Sequence, residues 1–210
     1  MCYTKEASIK AFLVGIFSSL LLITFGKEKH KKINLAIGLF FIFVSFMQLL
    51  DYLIWIDLDC KKGTNKLAGY LGYLFNYFQP IVMLLLIIYI GNINDNIPKY
   101  IKNCNIIYVI IILVIYIKFI FSNKICSKNK NGRVSWSWYI NILPILYLII
   151  LGINYSYIAK NKMIVISFII SLVFFLISKF NYKNHIGEFW CYFVNSAPVI
   201  LLAIQKFTNY

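Results

Sequence analysis

Seven apolar stretches, each long enough to cross a bilayer, occupy most of this 210-residue chain, and no other feature restricts its folding as strongly. They lie at about 8–26, 33–56, 67–92, 104–122, 136–157, 162–179 and 188–206. A hydrocarbon layer about 30 Å thick needs about 20 residues of helix. The chain is 61% hydrophobic and 13% charged, against about 45–50% and about 25% in soluble domains. A folded chain of this size in water has too little interior to hide that apolar surface, so the expected solvent and partner is the lipid bilayer. In lipid the backbone must satisfy its own hydrogen bonds, and long apolar runs therefore become helices rather than open strands. The expected fold is all-α, a polytopic bundle of seven transmembrane helices forming one domain over residues 1–210.

The breaks between stretches are polar and rich in helix-ending residues. Gly26 opens the run Lys27-Glu28-Lys29-His30-Lys31-Lys32, residues 57–65 carry Gly63 and mixed charge, and residues 91–102 carry Pro98. Residues 123–133 form the longest polar loop, and Lys160-Asn161-Lys162 divides the fifth stretch from the sixth. The first stretch has no small-x-small cleavage site and runs straight into a basic cluster, so it reads as a retained anchor. The net charge of +14 raises the question of nucleic acid. However, the 21 Lys and Arg are scattered over every loop and tail, as membrane-flanking charges are, and no nucleic-acid partner is expected.

If seven spans alternate, the N-terminus and the loops at 57–66, 123–135 and 180–187 share one face, called the N-face below. Trp55, Trp136, Trp138 and Trp190 all fall at its rim, where indole is favoured. Two lysines, Lys5 and Lys10, flank the start of the first span and four follow it at once. The more positive flank stays cytoplasmic, which puts the N-terminus outside and the C-terminus in the cytoplasm. The whole-chain count leans the other way, with 12 basic residues on the N-face and 9 opposite. Cysteine favours the first orientation. Cys2, Cys60, Cys126 and Cys191 lie on the N-face and only Cys104 opposite, an even number that suggests two disulfides on an extracellular or luminal side. Three pairings are open. Four unrelated thiols would also fit, as would a four-thiolate zinc site, although no Cys-x-x-Cys pair begins one; no metal is expected.

Polar residues inside the spans mark the candidate site. Gln48, Asp51 and Trp55 share one face of the second span at i, i+3, i+7. The third span holds Asn76, Gln79 and Pro80, the fifth Asn141 and Pro144, and the seventh Asn195, Ser196 and Pro198. An Asn three or four residues ahead of a Pro thus recurs in three parallel spans, each time in the half nearer the N-face. Proline removes an amide donor and frees a carbonyl one turn back. The functional reading is a polar vestibule reached from the N-face, with Asp51 and Gln79 as its deepest distinctive groups and Trp190 at its rim. The structural reading makes the amides interhelical glue, each worth about 1 kcal/mol, and pairs Asp51 with Lys61 or Lys62. The fourth and sixth spans are nearly featureless and are expected to face lipid.

No hydrolytic, phosphate-binding or dinucleotide-binding motif is present, and no catalytic residue or cofactor is expected. Retinal would need a lysine in mid-span, and Lys206 lies at the end of the last one. Three roles fit: a carrier or receptor for a small molecule, lipid or ion, a structural or host-interaction protein with a disulfide-stapled face, or a thiol redox protein. The sequence leaves the oligomeric state open.

Several landmarks occur together in one family. Met1-Cys2 leading to Glu6-Ala7-Ser8, Gln48 to Trp55 ahead of Asp57 and Cys60, and Asn65 begin the set. Gln79-Pro80, Cys126 with Gly132 and Trp136, and Trp190-Cys191 with Pro198 complete it. In these the chain resembles a group of small seven-span membrane proteins of unknown function found in bacteria, protists and giant DNA viruses. Tyr3 stands where that group has Trp, and Asp57-Leu58-Asp59 replaces a simpler acidic approach to the cysteine. The resemblance implies the seven-span fold and makes the four N-face cysteines family features. It brings no activity. With the chain's Ile, Asn and Lys bias it implies a viral or protist source.

Overall fold

Helices run through nearly all the apolar stretches in the computed structural model, which describes residues 4–92, 97–122, 125–130, 133–137, 143–181 and 193–207. Thr4 starts the first helix, α1 (Lys5–Phe25), its hydroxyl oxygen accepting the Ala7 amide at 3.1 Å. Glu6 in the first turn suits the positive end of the helix. The face α1 buries is built from Ser8, Ala11, Gly15, Ser18, Ser19 and Leu22. These residues repeat every three or four positions and are mostly small, so the backbone of α2 (Lys31–Trp55) can approach closely. A Cβ on Gly15 would strike Ser45 of α2 and the side chain of Asn195. The serine hydroxyls turn back onto their own helices, Ser19 to the Gly15 carbonyl and Ser45 to the Phe41 carbonyl, both at 2.7 Å.

At 25 residues, α2 is about 37 Å long. It is the central helix, touching α1 and each of α3 (Thr64–Tyr77), α4 (Gln79–Tyr89), α7 (Lys162–Asn181) and α8 (Ala197–Phe207). The third apolar stretch, expected as one span, is two helices. α3 ends at Phe78, and α4 sets off at 54° to it, because Pro80 has no amide to continue the α3 ladder. Pro198 likewise lies in the first turn of α8, behind a turn at Asn195-Ser196, and Pro144 in the first turn of α6 (Leu143–Ile158).

Among the described residues, three helices are long and apolar enough to cross a membrane: α1, α2 with the 3-10 turn ahead of it, and α5 (Lys99–Ile120). The bent pair α3–α4 makes a fourth if counted as one. α6, α8 and residues Lys162–Ile177 of α7 are apolar but shorter. The stretches leading into α6 and α8, at 138–142 and 182–192, lie outside the described residues.

The polar loop after α5 contains a two-stranded antiparallel ribbon, β1 (Lys128–Lys130) and β2 (Arg133–Ser135). Apolar packing divides in two along α2. One core gathers Ile37, Phe41 and Val44 with Leu84, Ile158 and Leu201. The other gathers Met47, Leu50 and Ile54 with Tyr73, Tyr77, Tyr108 and Val134 of the ribbon. The outer surfaces of α1, α5 and α6 are apolar too, with Phe17, Ile107 and Ile145 all exposed.

Candidate functional site

The loop after α2 and the segment around the ribbon form a cap at the C-terminal end of α2. Cys60 is bonded to Cys126 across 66 residues. Beside this bond Asp57, almost fully buried, accepts the Lys62 amide at 2.9 Å and the Asn65 amide at 3.1 Å. The Lys62 amide is the main reason the Asp57 carboxyl titrates below its ordinary value. Burial pushes it the other way and the Asn65 amide adds to the lowering. The side chain of Asn65 then ties the two loop segments together. Its Nδ2 donates to the Asp57 carbonyl at 3.0 Å and the Ser127 carbonyl at 2.9 Å, and its Oδ1 accepts the Ser127 amide at 2.9 Å. Ser137 extends the clamp, donating its amide to Ser127 Oγ at 3.2 Å and its hydroxyl to the Ile125 carbonyl at 2.6 Å. Gly69 of α3 lets this segment lie against the helix, because a Cβ there would come within 2.9 Å of the Ile125 carbonyl. Cys60 and Gly63 both take left-handed backbone, at φ 57° and φ 82°. The second is free of strain in glycine, and Cys60 is held there by its disulfide and by its amide bond to the Asp57 carbonyl.

A polar link also joins the cap to the helical interior. Trp136 follows β2, and its indole Nε1 donates to Asp51 Oδ1 at 2.7 Å. Asp51 is 1% exposed and lies about 6 Å along α2 from its C-terminal end. Gln48, one turn earlier on the same face, is equally buried. Around the α3–α4 bend, Gln79 is 2% exposed and its Oε1 accepts the Tyr147 hydroxyl at 3.0 Å. Asn154 of α6 donates to the Pro80 carbonyl at 3.1 Å and exchanges hydrogen bonds with Asn105 of α5 at 2.7 and 3.0 Å. Asn195 belongs to a different junction, between α1, α2 and α8, where its side chain accepts from Ser45 and its carbonyl from Ser18.

Gln48, Asp51, Gln79 and Asn195 are therefore all interior, while Trp55 and Asn76 are half-buried. Asn141, Trp190, Cys2 and Cys191 lie outside the described residues. The structural reading pairs Asp51 with Lys61 or Lys62, and here the geometry differs. The carboxylate meets Trp136, and it is the backbone of Lys62 that turns to a carboxylate, that of Asp57. The fourth stretch is also less featureless than expected, since Asn105 faces α6. Asn34 and Gln205 give no sequence signal, because each lies near the end of an apolar stretch beside lysines. Gln205 donates to Asn34 Oδ1 at 2.7 Å, and its own oxygen accepts from Asn34 and from the Lys27 amide. Three-residue spacing of polar groups finds a site on one helix, and these pairs span two.

Residues 6–175 match the model of a family of unknown function. Neither the curated proteins nor the solved structures contain a match to the chain.

Proposed function

The chain belongs to the family of unknown function DUF5765, and from that premise we propose a multi-pass integral membrane protein of seven spans that carries or senses a small ligand at the Asp51 cluster. In this reading the disulfide-clamped cap faces the extracellular or luminal side and the C-terminus the cytoplasm. The observation that carries it is the carboxylate of Asp51, 1% exposed on a 25-residue apolar helix. A carboxylate at that depth is expensive to bury, and intramembrane acids generally serve a ligand or an ion path. Gln48, one turn away on the same face of α2, adds a buried amide beside this charge, and the Trp136 indole N–H holds one carboxylate oxygen.

The test is the melting temperature of the full chain in neutral detergent at fixed ionic strength, in sodium, potassium and tetramethylammonium chlorides. A ligand at one hundred times its Kd stabilises by about 2.7 kcal/mol, so one of these salts is expected to raise the melting temperature by several degrees in wild type and not in Asp51→Asn. Identical melting of wild type in all three salts, or an unchanged shift in a folded Asp51→Asn, overturns the reading. A second role, a structural or host-interaction scaffold, is favoured by the cap itself. Its disulfide and buried Asn65–Ser127 clamp build a rigid exterior surface whether or not a ligand binds.

A further inference from the structure

The opposite end of α2 holds a second feature with its own chemistry. The basic run after Gly26 does not trail off as a solvated tail. Residues Glu28–His30 wind into a 3-10 turn, closed by the His30 amide on the Lys27 carbonyl at 2.9 Å, which feeds directly into α2. Against this turn lies the end of α4. Asn92 takes left-handed backbone at φ 57°, and Gly91 packs so closely on Ile33 that a Cβ would come within 2.9 Å of its side chain. Between the two is a cleft of about 410 Å³, lined by Lys29, His30, Lys31, Lys32, Gly91 and Asn92 together with Glu28 and Ile33. That volume lies in the range of small-ligand sites.

The wall chemistry selects the ligand. Three lysines and one glutamate leave a net positive charge, and the cleft stands at the N-terminal, positive end of the α2 dipole. Glu28 neutralises one lysine, holding Lys31 Nζ at 2.8 Å, but both side chains are largely exposed and the pair is readily opened. Near it in the chain, Phe25, three residues before the turn, and Tyr89, two before Gly91, expose aromatic surface, at 59% and 75%. An anion with acyl chains matches a basic cleft flanked by outward aromatic rings better than a fully hydrated anion does.

We propose that this cleft binds the phosphate of an anionic membrane lipid, with Lys29, Lys31 and Lys32 as its charge partners. The lipid as source of the phosphate rests on the membrane reading above. The Asp51 cluster plays no part in it, so neither test decides the other. The same basic flank is the one that the positive-inside rule keeps cytoplasmic, where the leaflet is anionic.

The experiment is a native mass-spectrometric titration of the full chain in neutral detergent with phosphatidylglycerol, phosphatidylcholine or inorganic phosphate. Phosphatidylglycerol is expected to bind at least tenfold more tightly than phosphatidylcholine. Each lysine near such a surface contributes about fivefold, so Lys29→Gln, Lys31→Gln and Lys32→Gln together remove roughly a hundredfold. Lys61→Gln with Lys66→Gln, at the cap end, should change nothing. Glu28→Gln frees Lys31 and should tighten binding severalfold, a gain that misfolding cannot imitate. Equal retention of the two lipids, an equal loss in the cap-end variant, or no gain in Glu28→Gln overturns the site. Full displacement of the lipid by millimolar inorganic phosphate overturns the lipid as its natural ligand.

Discussion

Replacing Asn65 with alanine is the most direct way to test how the cap is held. The side chain is fully buried and makes three hydrogen bonds, two to carbonyls and one from the Ser127 amide, all between 2.9 and 3.0 Å. A typical intramolecular hydrogen bond contributes about 1 kcal/mol net, and a buried group left without its partner costs about 1–3 kcal/mol. Losing three bonds therefore lowers the local opening free energy of the cap by about 3 kcal/mol or more. The disulfide remains, and with it the covalent link between the two segments. Global unfolding should hardly change, while local opening becomes frequent. Hydrogen exchange followed by mass spectrometry on peptides covering 125–137 reads this directly. The Ser127 amide should exchange roughly a hundredfold faster in Asn65→Ala, since about 1.4 kcal/mol is a factor of ten, and peptides from α1 should exchange as before. An acceleration of less than threefold at Ser127 would refute the reasoning. It would mean that the disulfide and the ribbon hold the segments with no help from the amide.

Three further outcomes are expected. Asp57 titrates below its ordinary value in the folded protein, so its contribution to stability is complete above the ordinary carboxylate range, about pH 4, and is lost as pH falls through the lowered folded value. Cap melting followed by tryptophan fluorescence should be flat near neutrality and decline in acid, and Asp57→Asn should be weaker at neutral pH with that acid decline reduced. Removing the 66-residue covalent loop by Cys60→Ser with Cys126→Ser should lower stability by up to about 4 kcal/mol in the free-chain limit. In the unmutated chain, peptide mapping after maleimide treatment should find Cys60 and Cys126 labelled only after reduction. Gly15→Ala drives a methyl into Ser45 and Asn195 and should cost about 1–3 kcal/mol by overpacking. Gly152→Ala points into open space and should stabilise its helix by about 0.5–1 kcal/mol, a contrast that melting curves resolve.

Local features were legible where one stretch of chain decides them. The apolar runs are helical because period and length act within a single segment, and Gly26, Gly63 and Pro98 mark real ends. Pro80 marks a break in the helix from sequence alone, yet the size of the bend, 54°, depends on what α3 and α4 each pack against. The ribbon at Lys128–Ser135 escaped notice because its strands are three residues long and largely polar. It is held by pairing and by the cap and has no hydrophobic alternation of its own. Asn105, Asn154 and Gln205 carry no signal in isolation, since the side chain that each meets lies at least 49 residues away, and half of the Asn65 clamp, the Ser127 backbone, is 62 residues away.

From the order of residues alone it follows that this chain is helical, that its helices present apolar surface outward as well as inward, and which polar groups those helices must accommodate. These follow from solvation and hydrogen bonding within a single segment. Packing of the whole chain is what brings Cys60 to Cys126, gives Asp51 the Trp136 indole as a partner, and folds the basic turn against the end of α4 to make a cleft. Partnerships of this kind depend on how helices stack across tens of residues of intervening chain. Many pairings satisfy the same local rules, and close packing around α2 selects among them.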